Sequence, residues 1–158
     1  MAPGRISIFC LHVLIAVLFN VTLPGCDSTH EHMTHDTQQW FDEIRWNHRL
    51  LIISGPDEDV SRQVDACRAM RDGMLDRDLI VVDVSHDPGA LVVGGREDIP
   101  DAPTFRARFD LPEEEFQVVL VGKDGGVKER RSDQFDIEEL FAIIDAMPMR
   151  MREMRERR

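Results

Sequence analysis

The sequence predicts an α/β domain built on a mixed sheet of about four strands, and three segments carry that prediction. Residues 116–147 run FQVVLVGKDGG, VKERRSDQF and DIEELFAIIDAM: a strand, a tight turn, a second strand and an amphipathic helix. Residues 49–55 (RLLIISG) are an apolar run closed by Gly-Pro, the pattern of a buried strand. Residues 78–85 (DLIVVDVS) are another such run, rich in β-branched residues and suited to burial on both faces.

The elements follow in order. Trp40, Phe41 and Ile44 are spaced as a short helical turn packing on the core, and with Trp46 they begin the domain. Asp57, Glu58 and Asp59 open a helix at its positive end. Val60, Val64, Cys67, Met70 or Arg71, and Met74 recur at helical spacing, while Gly73 and Asp76 weaken its last turn. With the strands on either side, this helix makes a right-handed parallel βαβ unit. Residues 87–103, with three prolines and three glycines, read as irregular. Residues 104–111 are expected to form one or two helical turns with Phe105 and Phe109 on one face. Lys123-Asp124-Gly125-Gly126 supplies hairpin chemistry, because Asp-Gly and Gly-Gly tolerate positive φ. Residues 127–131 return as an edge strand guarded by charge. Asp136 is an N-cap with Glu139 completing a capping box, Ile137, Leu140, Phe141, Ile144 and Met147 form the buried stripe, and Pro148 ends the helix. The order β-α-β then β-β-α, with flanking helices, is that of a thioredoxin-like fold. The dithiol usually carried by that fold is missing, since the chain has no Cys-x-x-Cys.

The N-terminus reads as an address. Arg5 is a positive n-region, and residues 6–19 (ISIFCLHVLIAVLF) are an apolar stretch of signal-peptide length, short of the roughly 20 residues of a bilayer span. Leu23-Pro24-Gly25-Cys26 resembles a bacterial lipobox, in which the cysteine receives a diacylglyceryl group; Pro24 is unusual at its position. Residues 1–25 are therefore expected to be a lipoprotein-type signal, with an ordinary cleaved signal or an uncleaved anchor as the alternatives. Asp27 resembles an inner-membrane retention signal and slightly favours that membrane. Residues 26–39 read as a flexible polar tether, 40–148 as the domain and 149–158 as a basic Met/Arg tail. Once Cys10 leaves with the signal and Cys26 carries lipid, only Cys67 remains, so no intramolecular disulfide is expected. If Cys26 carried no lipid, a bridge from Cys26 to Cys67 would be open to it in an oxidising periplasm. His30, His32 and His35 in the tether have the donor type for Zn²⁺ or Cu²⁺, but the tract has no second shell to fix them, and a solvated linker is the plainer reading.

Thirty acidic against nineteen basic residues, a formal charge of −11, argues against a nucleic-acid binder. The tail reverses the trend, with five arginines and two glutamates from Arg150 to Arg158. It would extend the last helix over an anionic membrane surface, dock a partner through its methionines, or fray into solvent. Cys67 is the one thiol available for chemistry, with Arg68 beside it, but its place on the helical stripe reads as inert core packing. Lys123 and Asp124 at the hairpin tip are candidates for recognition, or simply form the turn. Arg49, Arg77 and Arg150 would converge on an anion, or pair with nearby carboxylates.

A family resemblance rests on Trp46, Arg49-Leu50-Leu51, Arg77-Asp78-Leu79, the run Leu120-Val121-Gly122-Lys123-Asp124-Gly125-Gly126 with Lys128, and Asp145-Ala146-Met147-Pro148-Met149-Arg150. These resemble the thioredoxin-like domain-of-unknown-function family 4174, the DUDES-type domain of bacterial envelope and vertebrate extracellular-matrix proteins. The resemblance implies a thioredoxin-like fold and an envelope or extracellular setting. A peroxiredoxin-like or redox role has been suggested for such domains, yet no catalytic residue carries over. Gly55-Pro56-Asp57-Glu58 stands where active thioredoxins hold their dithiol, and Pro112 is separated from Phe116 by three glutamates where they hold a cis-proline. The expectation is an envelope lipoprotein with a non-catalytic binding or scaffolding domain, lipid-anchored on the periplasmic side, with an unknown envelope protein as partner and no cofactor. The alternative is a one-cysteine, thiol-dependent antioxidant enzyme using Cys67.

Overall fold

The computed structural model describes residues 37–95 and 98–157. The signal, Cys26, His30, His32 and His35 lie outside the described residues.

A helix, α1 (37–44), leads into β1 (Arg49–Ser54), α2 (Asp57–Ala69), α3 (Arg71–Asp76) and β2 (Leu79–Asp83). Then come β3 (Ala90–Val93), α4 (Ala102–Phe109), β4 (Gln117–Val121), β5 (Val127–Arg131), α5 (Ile137–Asp145) and α6 (Pro148–Glu156). The sheet order is β3-β2-β1-β4-β5. Strands β1 and β2 are parallel; β4 runs antiparallel to β1, and β5 antiparallel to β4. These four strands and their helices are compatible with a thioredoxin-like fold.

The fifth strand corrects the sequence reading. Inside the stretch read as irregular, Leu91 and Ala90 pair with Val82 and Asp83, adding an antiparallel edge to β2. The prolines and glycines there mark the two flanks of a short strand, and four residues are too few to show a period of two. The first long helix is also two helices. Met70 leaves helical geometry (φ −110°, ψ 27°), and α3 restarts to bury Met74. Pro148 begins α6 rather than merely ending α5, a position where its missing N–H costs nothing. The cis peptide bond lies at Asp87–Pro88, not at Pro112.

Alternation along the strands explains two core layers. Leu51, Ile53, Leu79, Val81, Val118 and Leu120 face one side, against α2, α3 and α5. Leu50, Ile52, Ile80, Val82, Val119 and Val121 face the other, against α1 and α4. There Trp40, Phe41 and Phe105 pack edge to face, with centroids 5.0–5.7 Å apart. Asp101 caps α4 and Asp136 caps α5, each side chain accepting from the backbone N–H three residues on. Trp46 is not part of either layer; it is 57% exposed.

Candidate functional site

The residues singled out by sequence gather at one end of the sheet. Arg49 opens β1 and is 1% exposed; Lys123 follows β4 and is 8% exposed. Arg77 and Asp78 form the turn into β2, and Arg150 and Glu153 sit on successive turns of α6. The Arg49 guanidinium donates to the Arg77 carbonyl at 2.7 Å and to both Glu153 oxygens at 3.2–3.3 Å. Lys123 Nζ bonds Asp78 at 2.8 Å and Glu153 at 2.9 Å. Arg150, 3% exposed, donates to Asp145 at 3.0 Å, to the Asp76 carbonyl at 2.7 Å and to the Asp76 carboxylate. Arg77 bonds Asp145 at 2.5 Å and lies over the Phe141 ring at 3.9 Å. Arg157 closes the group on Asp76 at 2.9 Å.

Three buried cations are tolerable only because each is paired and hydrogen-bonded. The titration behaviour agrees. Burial alone pushes the Glu153 carboxyl up, but Lys123 and Arg49 more than reverse it, leaving its pKa below the ordinary value. The Arg150 hydrogen bond holds Asp76 low. Burial disfavours the charged form of Arg150, yet Asp76 and Asp145 outweigh it and raise its pKa. Chemically the cluster is a clamp: it fastens α6 to the ends of β1, β4 and α3.

Arg49, Arg77 and Arg150 pair with the protein's own carboxylates, the second of the two expectations, and they do so on Glu153, Asp145 and Asp76 rather than on one shared anion. Lys123 is buried, which corrects its reading as an exposed hairpin tip; its ammonium pairs with Asp78 and Glu153. Asp124 serves the turn, accepting from Gly126 N at 3.1 Å and from Lys128 at 2.6 Å. Glu153, Asp76 and Asp145 had no place in the sequence reading of the site. Their only local signal was Arg150 and Glu153 at i,i+3, which suits a solvated helix equally well.

Beside this end, a groove of about 240 Å³ runs between α1, α4 and the β4–β5 turn, lined by Arg45, His48, Leu50, Arg108, Phe109 and Asp124. At the opposite end of β1, where a thioredoxin keeps its dithiol, Gly55 passes at φ +128° and Pro56 caps α2. His86 and Asp57 pair there at 3.0 Å, both well exposed.

Cys67 is 0% exposed. Burial pushes its thiol up to about 11, with a weak contact from Gln63 at 3.9 Å opposing. Gln63 itself is spent on both backbone groups of Phe135, at 2.7 and 3.0 Å. Arg68 points into solvent, 3.6 Å from Asp65. A reactive thiol needs exposure and a lowered pKa, and Cys67 has neither. Among the described residues, no three His, Cys, Asp or Glu side chains are placed to hold a metal, and no helix is long and apolar enough to cross a membrane.

Fold and cluster together define an α/β domain with a mixed five-stranded sheet, no assembled thiol site among the described residues, and one end closed by its last helix. The chain belongs to the family described as Domain of unknown function (DUF4174), whose model matches residues 40–153. No solved structure matches it.

Proposed function

We propose that this chain is a cell-envelope lipoprotein whose folded domain binds or scaffolds a partner and performs no catalysis. The observation that carries the reading is Cys67, the only thiol of the described domain, fully buried with its pKa pushed to about 11. At neutral pH such a thiol is thiolate in roughly one molecule in ten thousand, and peroxide would have to reach it through the helix–sheet interface. The junction of β1 and α2 offers Gly55-Pro56-Asp57-Glu58 in place of a dithiol. The envelope setting is supported by the Leu23-Pro24-Gly25-Cys26 pattern after an apolar stretch, and the partner is an envelope protein met on the periplasmic side, the inner membrane slightly favoured by Asp27.

The test is hydrogen peroxide consumption with dithiothreitol by the full chain and by Cys67→Ser. Equal, background-level rates are expected. Consumption that disappears in the variant would make Cys67 a nucleophile and overturn the binding-module reading. The anchor is tested separately by labelled fatty-acid incorporation, expected in the native chain and absent in Cys26→Ala.

A further inference from the structure

In an acidic chain most arginines find a carboxylate. Among the described residues the side chains of three take no hydrogen bond or ion pair: Arg71, Arg152 and Arg155. Arg152 and Arg155 share one side of α6 with Met151, which is 37% exposed. The clamp explains the arrangement. Arg150 and Glu153 turn inward and are consumed by the cluster, so the helix must present Met151, Arg152 and Arg155 outward.

A second, independent feature lies at the same end. Trp46 is 57% exposed and held at φ +70°, a left-handed conformation that costs a bulky residue strain. The strain is maintained by a 2.6 Å bond from Trp46 N to the Lys123 carbonyl, and the Arg45 guanidinium lies 5.2 Å from the indole centroid. The same lysine holds α6, since its Nζ bonds Glu153. One residue thus ties the projecting indole and the basic helix to a single end of the domain.

Resting on the lipoprotein reading, we propose that Trp46 with Arg45 and the outward face of α6 (Met151, Arg152, Arg155) is a membrane-contact surface that lays the domain on anionic lipid headgroups. An indole with a wet edge and an apolar body suits the headgroup boundary, methionine adds apolar contact, and unpaired arginines supply the charge complement. Glu156, exposed on the next strip of α6, limits the face on one side. The overall charge of −11 opposes approach to an anionic leaflet, so the attraction depends on turning the unpaired arginines of this face toward the headgroups.

The chain has two tryptophans, and the other, Trp40, is in the core at 4% exposure, so emission quenching by brominated lipid reads Trp46. The full chain would be added to brominated vesicles of phosphatidylcholine alone and of phosphatidylcholine with phosphatidylglycerol. Quenching is expected only with phosphatidylglycerol, absent in Trp46→Ala and in 0.5 M salt. In Arg152→Gln/Arg155→Gln, with the circular dichroism unchanged, the lipid concentration for half-quenching should rise about fivefold per arginine. No quenching on either vesicle overturns the proposal and leaves an acidic protein as what this face meets. Equal quenching on both overturns the charge complementarity. Failure of the lipoprotein reading shows separately: the native chain, like Cys26→Ala, would then not cosediment with neutral vesicles at high salt, while charge-dependent quenching persisted.

Discussion

Gly55 is the residue on which the β1–α2 junction depends. Its φ of +128° is closed to side chains, and an added Cβ would lie 2.5 Å from the Phe116 Cα. Neither backbone can move without disturbing β1 or β4, so Gly55→Ala should destabilise by about 3 kcal/mol, measured from the urea midpoint at unchanged slope. The sequence flagged Gly-Pro as a strand terminator; that the glycine also lets Phe116 approach depends on contacts 61 residues away in the chain. Cys67 gives a second test. Its folded pKa is raised, so its contribution is intact below the unfolded value and is lost as pH climbs from 9.0 toward about 11. Stability of the native chain should fall across that window, and Cys67→Ala should flatten that part of the profile. The burial of Cys67 was legible because Val60, Val64 and Met74 share its helical spacing and are buried with it.

Among the elements, α6 is held differently from every other. α5 buries Ile137, Leu140 and Ile144, whereas the only fully buried residue of α6 is Arg150. Its attachment is therefore electrostatic. Glu153→Gln would leave Arg49 and Lys123 without their shared carboxylate and should cost about 2–4 kcal/mol. Glu58→Gln, at an exposed i,i+4 pair with Arg62, should cost under about 0.5 kcal/mol. Hydrogen exchange should place the loss in α6. Acid should act on the same element. Asp76 and Glu153 have folded pKa values below their ordinary 3.8 and 4.5, so their stabilisation is complete above those ordinary values and is lost as pH falls through the depressed folded ones. α6 amides should exchange faster from about pH 4 downward, before α5 responds; uniform loss across both helices would show that the clamp does not act locally. The sequence read the Met/Arg tail only through its charge. Helical spacing was present, but no apolar stripe announced docking, because the buried side chain is an arginine.

For the whole molecule, the two core layers share one sheet, and the clamp joins strand ends to the last helix. Residues 149–157 thus belong to the domain energetically. Ending the chain at Pro148 should expose Arg49 and Lys123, lower the thermal midpoint by several degrees and leave the far-ultraviolet spectrum otherwise α/β; an unchanged midpoint would mean that α6 is an appendage. The sequence by itself determined the α/β class, four of the five strands, the α5 cap and stripe, the burial of Cys67 and the acidic balance. Each of these depends on short-range periodicity, on turn chemistry or on composition. Only the tertiary structure decided that β3 forms, that Lys123 is buried, that Trp46 projects, and that Arg49, Arg77 and Arg150 find Glu153, Asp145 and Asp76. The physical reason is that a charge is buried or exposed according to whether an opposite charge waits at the place where the fold puts it. Arg49 and Glu153, 104 positions apart, become partners only when β1 and α6 meet.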